Sequence, residues 1–78
     1  MAQMDKLMEI LTDLHPEIDF ETQDGLMDKA ILDSMDIVHL VTEIGDEFDV
    51  TISAKDLLPE NFNSAQAIFE MIERLEEE

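Results

Sequence analysis

Few side chains in this 78-residue chain could do chemistry. It has three serines (Ser34, Ser53, Ser64), two histidines (His15, His39) and no cysteine. Without cysteine there is no thiolate for zinc or for nucleophilic attack, and no disulfide framework. His15 and His39 belong to different elements, and neither a His-x-x-x-His nor a Glu-x-x-His spacing occurs, so no metal site is expected. Calcium fares no better. With Gly25 at the sharp turn of a calcium loop, the first ligand would be Phe20 and the twelfth Ile31, and neither offers a side-chain oxygen. A Ser-His-Asp hydrolase would need an oxyanion hole and a concave site, and no motif here supplies either. The chain is therefore expected not to be an enzyme, with no catalytic residues. Among the serines, Ser53 and Ser64 stand where helices need caps. Ser34 differs, because it opens a helix after a long connection and places a hydroxyl at a positive helix end that tolerates a phosphate ester. By position alone, Ser34 fits either a helix cap or a covalent attachment site.

Charge narrows the partners. The formal net charge is −17 on 8.9 kDa, with 21 acids against four bases. Lys6, Lys29, Lys55 and Arg74 are dispersed, and the stretch from Ala30 to Ala54 holds six acids and no base. Such a surface repels nucleic acid and anionic lipid and favours basic protein surfaces. The 45% hydrophobic content is too high for a disordered chain, and 78 residues are too few for two cores, so one domain over residues 1–78 is expected. No run approaches the roughly 18 apolar residues of a membrane span, and Asp5, Lys6 and Glu9 interrupt what a signal peptide would keep apolar. The expectation is a cytoplasmic monomer with no membrane insertion.

The elements that must position Ser34 follow from spacing. Met4, Leu7, Met8, Leu11 and Leu14 lie on one helical face, predicting a first helix from Ala2 to Leu14 that Pro16 ends. From His15 to Asp33 no period persists. Leu26, Met27, Ile31 and Leu32 should pin this long connection to the core, with a helical turn around Met27 to Ala30. Asp33 or Ser34 caps a second helix whose core face is Leu40, Val41, Ile44 and Phe48. Met35, Val38, His39, Thr42 and Asp46 form a second stripe on that helix, the expected contact surface. Ser53 with Asp56 fits a capping box before Leu57 and Leu58, and Pro59 keeps that helix short. Asn63 or Ser64 caps the last helix, with Gln66 reaching back, and Ala65, Ile68, Phe69, Ile72 and Leu75 form its buried face. Glu76, Glu77 and Glu78 should fray at the negative end of the helix dipole. The predicted fold is all-α: a small antiparallel four-helix bundle of three longer helices and one short third helix, with a long loop between the first two.

The run Leu32-Asp33-Ser34-Met35-Asp36-Ile37-Val38, followed by Glu47-Phe48-Asp49-Val50-Thr51-Ile52 and by Asn61-Phe62-Asn63-Ser64, resembles the acyl carrier protein family over nearly the whole chain. The Asp-Ser-Met tripeptide stands where that family has Asp-Ser-Leu, whose serine receives 4′-phosphopantetheine. The resemblance implies that a phosphopantetheinyl transferase, using magnesium and coenzyme A, attaches this arm covalently to Ser34. The arm's terminal thiol would carry cargo as a thioester, which fits a chain without cysteine. It further implies recognition by partners through Asp33, Met35, Asp36, Val38, His39, Thr42 and Asp46. Asp33 would help to present Ser34, and Met35 would lie beside the arm. The implied partners are the transferase, an acyl- or aminoacyl-adenylating ligase, and acyl-processing enzymes with basic docking surfaces.

This sequence departs from the fatty-acid-synthesis pattern at His39, where glutamate is usual, at Thr42, where a larger apolar residue is frequent, and at Gly45, where another acid is common. Met35 and the run Pro59 to Ser64 look more like stand-alone carriers paired with a dedicated adenylating ligase, D-alanyl carrier proteins included. The functional expectation is an acyl carrier. An aminoacyl carrier, D-alanyl or peptidyl, is the alternative within the class, and an unmodified acidic interaction module is the alternative outside it.

Overall fold

A computed structural model describes residues 3–77. The periodic stripe at the start of the chain folds into helix α1, Met4–Leu14, with Leu7 and Leu11 fully buried and Met4, Met8 and Leu14 packed at the edge of the core. Gln3 is its N-terminal boundary residue, and Ala2, the expected start, lies outside the described residues. It ends at His15, whose backbone N–H still donates to the Leu11 carbonyl at 2.9 Å before Pro16 stops the pattern.

Helix α2, Ser34–Phe48, starts at Asp33 through a reciprocal capping box with Asp36 and buries Leu40 and Ile44. Ile37, Val41 and Phe48 pack against the core with their edges exposed. Its end is set by Asp49, whose left-handed backbone (φ 56°) terminates the helix. The turn doubles back closely, so that a β-carbon on Gly45 would stand 3.3 Å from the Val50 carbonyl oxygen. The small residue serves that close approach.

Helix α3, Ala65–Glu77, is capped by Ser64, whose Oγ accepts the Ala67 N–H at 3.0 Å. Ala65, Ile68 and Ile72 are buried as their spacing requires, and Met71 joins them, whereas Phe69 and Leu75 lie at the core's edge. Gln66 bonds forward to Glu70 rather than back to a cap. The helix stays regular through Glu77, where fraying was expected; Leu75 packs on the core and Arg74 places a cation in the last turn. Glu78 lies outside the described residues.

The expected short third helix is not an α-helix. The segment forms two 3-10 turns, Ala54–Asp56 and Pro59–Phe62, so the described residues contain three α-helices instead of four, and no strand. Pro59 prevents one continuous helix, and the Ser53 hydroxyl donates to the Asp56 carboxylate (3.2 Å) instead of accepting a backbone N–H. The second turn nevertheless buries Phe62 against α3.

Helix α1 packs on both α2 and α3 and so forms the common support. The long connection between α1 and α2 is anchored to this core by Phe20, Leu26 and Leu32, all buried. Residues 26–30 make a turn, not a helix. The turn is closed by Lys29 N–H to Gly25 (2.7 Å) and by the N–H groups of Ile31 and Leu32 to Leu26, with Gly25 at φ +62° and Ala30 at φ 56°. The Lys29 bond spans four residues and makes the single helical turn expected here, and left-handed Ala30 keeps it from growing into a helix.

Candidate functional site

Ser34 is the first residue of α2 and is exposed. Its place there is a consequence of Asp33. The Asp33 carboxylate accepts the Asp36 N–H (2.9 Å), and Asp36 Oδ2 accepts the Asp33 N–H (3.1 Å), so the cap of the helix is complete without the serine hydroxyl. The other serines are engaged. Ser64 caps α3, and Ser53 donates to Asp56. Among the described residues, Ser34 alone of the serines has a hydroxyl with no hydrogen-bond partner. An exposed, unengaged hydroxyl at the positive end of a 15-residue helix can accept a phosphate ester without displacing any bond in the fold.

The surroundings of Ser34 are apolar on one side. Leu32, Ile37, Val38 and Leu57 line an open cleft with it. Met35 and Val38 are 65% and 56% exposed, and Leu57 and Leu58 add a further exposed apolar edge. Isolated exposed methionines and leucines are ordinary, but a cluster beside one free hydroxyl makes a surface suited to contact.

The residues expected to meet partners divide into two groups. Met35, Val38, His39, Thr42 and Asp46 are all exposed and follow one face of α2, as their spacing requires. Thr42 bonds its own helix, its Oγ1 donating to the Val38 carbonyl at 3.1 Å. Asp33 and Asp36 are committed within the fold. Asp36 is only 15% exposed at its side chain and, besides closing the cap, accepts a bond from His15 Nε2 at 2.8 Å.

That contact with His15 links the end of α1 to the start of α2 and was not legible in spacing. His15 Nδ1 also meets Glu17 Oε1 at 3.0 Å. Hydrogen bonds to Asp36 and then to Glu17 raise the His15 pKa above its ordinary value. For Asp36, burial favours the protonated form, but the bonds from His15 and from the Asp33 backbone outweigh it and hold the carboxyl below the usual range. Glu17 is lowered by its own backbone N–H and by His15.

Asn63 is the second residue whose role spacing did not disclose. Its place in the sequence suits a helix cap, but its Oδ1 accepts the N–H groups of Met27 (2.9 Å) and Asp28 (3.1 Å), and its Nδ2 donates to Asp28 Oδ2 (3.1 Å). Its carbonyl accepts the Leu26 N–H at 2.8 Å. One side chain and its backbone thus fix the turn that leads into the Ser34 segment.

No group of three or more His, Asp or Glu side chains among the described residues could hold a metal ion. Among the described residues no helix is long and apolar enough to cross a membrane.

The family model for the phosphopantetheine attachment site matches residues 5–72. A D-alanyl carrier protein from Streptococcus mutans serotype c (strain ATCC 700610 / UA159) is 31% identical over 71 residues, covering 90% of each chain. No solved structure matches. The chain belongs to the phosphopantetheine-binding carrier proteins, which bear a covalently attached 4′-phosphopantetheine and are not enzymes.

Proposed function

We propose that Ser34 is the attachment residue and that the chain, acting as one domain, carries acyl groups loaded by a dedicated adenylating ligase. The observation that carries this reading is the unengaged Ser34 hydroxyl, set beside a cap that Asp33 and Asp36 complete without it. In the attachment step Ser34 Oγ forms a bond to the β-phosphorus of coenzyme A. The bond to the bridging pyrophosphate oxygen breaks, 3′,5′-ADP leaves, and the serine proton is lost to the transferase. Once bound, the arm supplies a terminal thiol that holds carboxylic cargo as a thioester.

The chain's own residues present the arm and select who meets it. Asp33 fixes the start of α2, so that Ser34 projects from a defined turn. Met35, Val38, His39, Thr42 and Asp46 supply a contact stripe that leads away from the attachment point, with Asp46 as its acidic end. The −17 charge draws basic partners together quickly while leaving each complex weak and salt-sensitive, as a carrier serving successive enzymes needs.

A second reading concerns the cargo. The similarity to a D-alanyl carrier protein favours an aminoacyl group, D-alanine in particular, loaded by the same kind of ligase. Both readings share Ser34 and the arm.

Intact-mass measurement after incubation with coenzyme A, magnesium and a broad-specificity phosphopantetheinyl transferase tests the attachment. Wild type should gain one phosphopantetheinyl group and Ser34→Ala none. An unmodified wild type beside a modified control carrier would leave an acidic interaction module as the better reading. Offering the loaded form to adenylating ligases with ATP and either D-alanine or fatty acids then decides the cargo by mass.

A further inference from the structure

We propose that His15 is a positioning residue for the attachment reaction, holding the Asp33–Asp36 capping box, and through it Ser34, in the geometry that a transferase engages. The proposal rests on the reading of Ser34 as the attachment residue. His15 follows the last residue of α1, and its backbone still closes that helix on Leu11. Its ring bridges two anions from different parts of the chain: Nε2 lies 2.8 Å from Asp36 Oδ2 on α2, and Nδ1 lies 3.0 Å from Glu17 Oε1 in the connection. The same Asp36 Oδ2 accepts the N–H of Asp33, the residue immediately before Ser34, at 3.1 Å. One carboxylate oxygen therefore joins the end of α1 to the turn that projects the hydroxyl.

The arrangement is asymmetric in exposure. The His15 and Asp36 side chains are 24% and 15% exposed, so water competes poorly for their bond, whereas Ser34 stands open. Without the ring, Asp33 could still cap α2. Asp36 would then be a partly buried carboxylate without its cationic partner and would be drawn toward water, loosening its hold on the Asp33 N–H. The turn would sample more orientations, and a transferase would bind only the fraction in the competent one.

Protonation decides whether the bridge is complete. An imidazole can donate to both carboxylates only when both ring nitrogens carry hydrogen, which is the cationic form. The charged groups facing the ring are Asp36 from α2 and Glu17 from the connection, both anionic, and both favour that form. As pH rises through the raised His15 value, one of the two bonds is lost. An arginine at this position would keep donors for both carboxylates at any working pH.

The test is a competition. Wild type is mixed with His15→Ala, and separately with His15→Arg, in one transferase reaction, so that the enzyme's own pH dependence cancels from the product ratio. At pH 6, wild type should exceed His15→Ala in kcat/KM by about fivefold, with separate single-carrier reactions placing the difference in KM, and the ratio should fall to about twofold at pH 8.5. His15→Arg should match wild type at pH 6 and surpass it at pH 8.5. In wild type alone, the Asp33 amide resonance should titrate with the imidazole. Circular dichroism checks each variant, and His15→Gln, a neutral donor, replaces His15→Ala in the same comparison if the latter is unfolded. A ratio near one, or a preference that does not change with pH, would overturn the positioning role while leaving Ser34 as the attachment site. A wild type unmodified at every pH would overturn the Ser34 reading itself.

Discussion

At the scale of single residues, the division of labour between Asp33 and Ser34 determines what this segment can do. A serine at a helix start ordinarily serves as the cap, and its loss then costs about 1 kcal/mol. Here Asp33 accepts the Asp36 N–H, and Ser34 is the next residue along. Ser34→Ala should therefore change stability by less than about 0.5 kcal/mol in urea unfolding, as expected for a surface substitution. Asp33→Ala should cost about 1 kcal/mol in the same measurement by removing the cap. A large loss for Ser34→Ala would mean that its hydroxyl is structural.

At the scale of elements, the connection between α1 and α2 behaves as an anchored strap, and Asn63 is its anchor. Removing that side chain in Asn63→Ala leaves the N–H groups of Met27 and Asp28 without their acceptor and Asp28 without a donor. The expected loss is about 2 kcal/mol by denaturant unfolding, larger than the roughly 1 kcal/mol for Ser64→Ala, which removes only a helix cap. The strap's other tie is His15, and it gives stability a pH dependence of defined sign. Because the folded pKa of His15 is raised, the stabilisation from its bonds is fully present below the unfolded value of about 6.5 and is lost as pH rises through the folded value. Asp36 and Glu17, lowered in the fold, contribute above their unfolded values and lose that contribution as pH falls through the folded ones. Stability from this cluster should be greatest near pH 5 to 6.5, by the unperturbed values of the groups. Unfolding midpoints measured from pH 5.5 to 8.5 should decline in wild type and decline less in His15→Ala.

At the scale of the whole molecule, excess negative charge works against compactness. Lys6 pairs with Glu47 at 3.2 Å and Lys29 with Asp24 at 3.6 Å, both exposed, and such pairs contribute about 0–1 kcal/mol each. Against them stand 21 acids, with Asp46 and Glu47 crowded toward the negative end of α2. Added sodium chloride or magnesium should raise the thermal unfolding midpoint by screening this repulsion. A midpoint that stays flat to high ionic strength would show that the charges lie too far apart to matter.

The sequence by itself determined the three α-helices, because these depend on local rules. Apolar spacing places α1, α2 and α3 with their buried faces, Pro16 and Pro59 set where helices stop, and local rules put the cap of α2 at Asp33 or Ser34, between which the structure chooses Asp33. The open stripe from Met35 to Asp46 follows from the same period. The third helix of the sequence expectation does not form, because Ser53 and Asp56 carry a capping pattern that Pro59 leaves no length to extend. Only the tertiary structure decided the rest. Phe20 is buried from a segment with no period, Asn63 reaches across to residues 35 and 36 positions earlier, and His15 meets Asp36 at a separation of 21. No local rule connects such pairs. They meet because α1 packs on both α2 and α3, which folds the long connection back over the core.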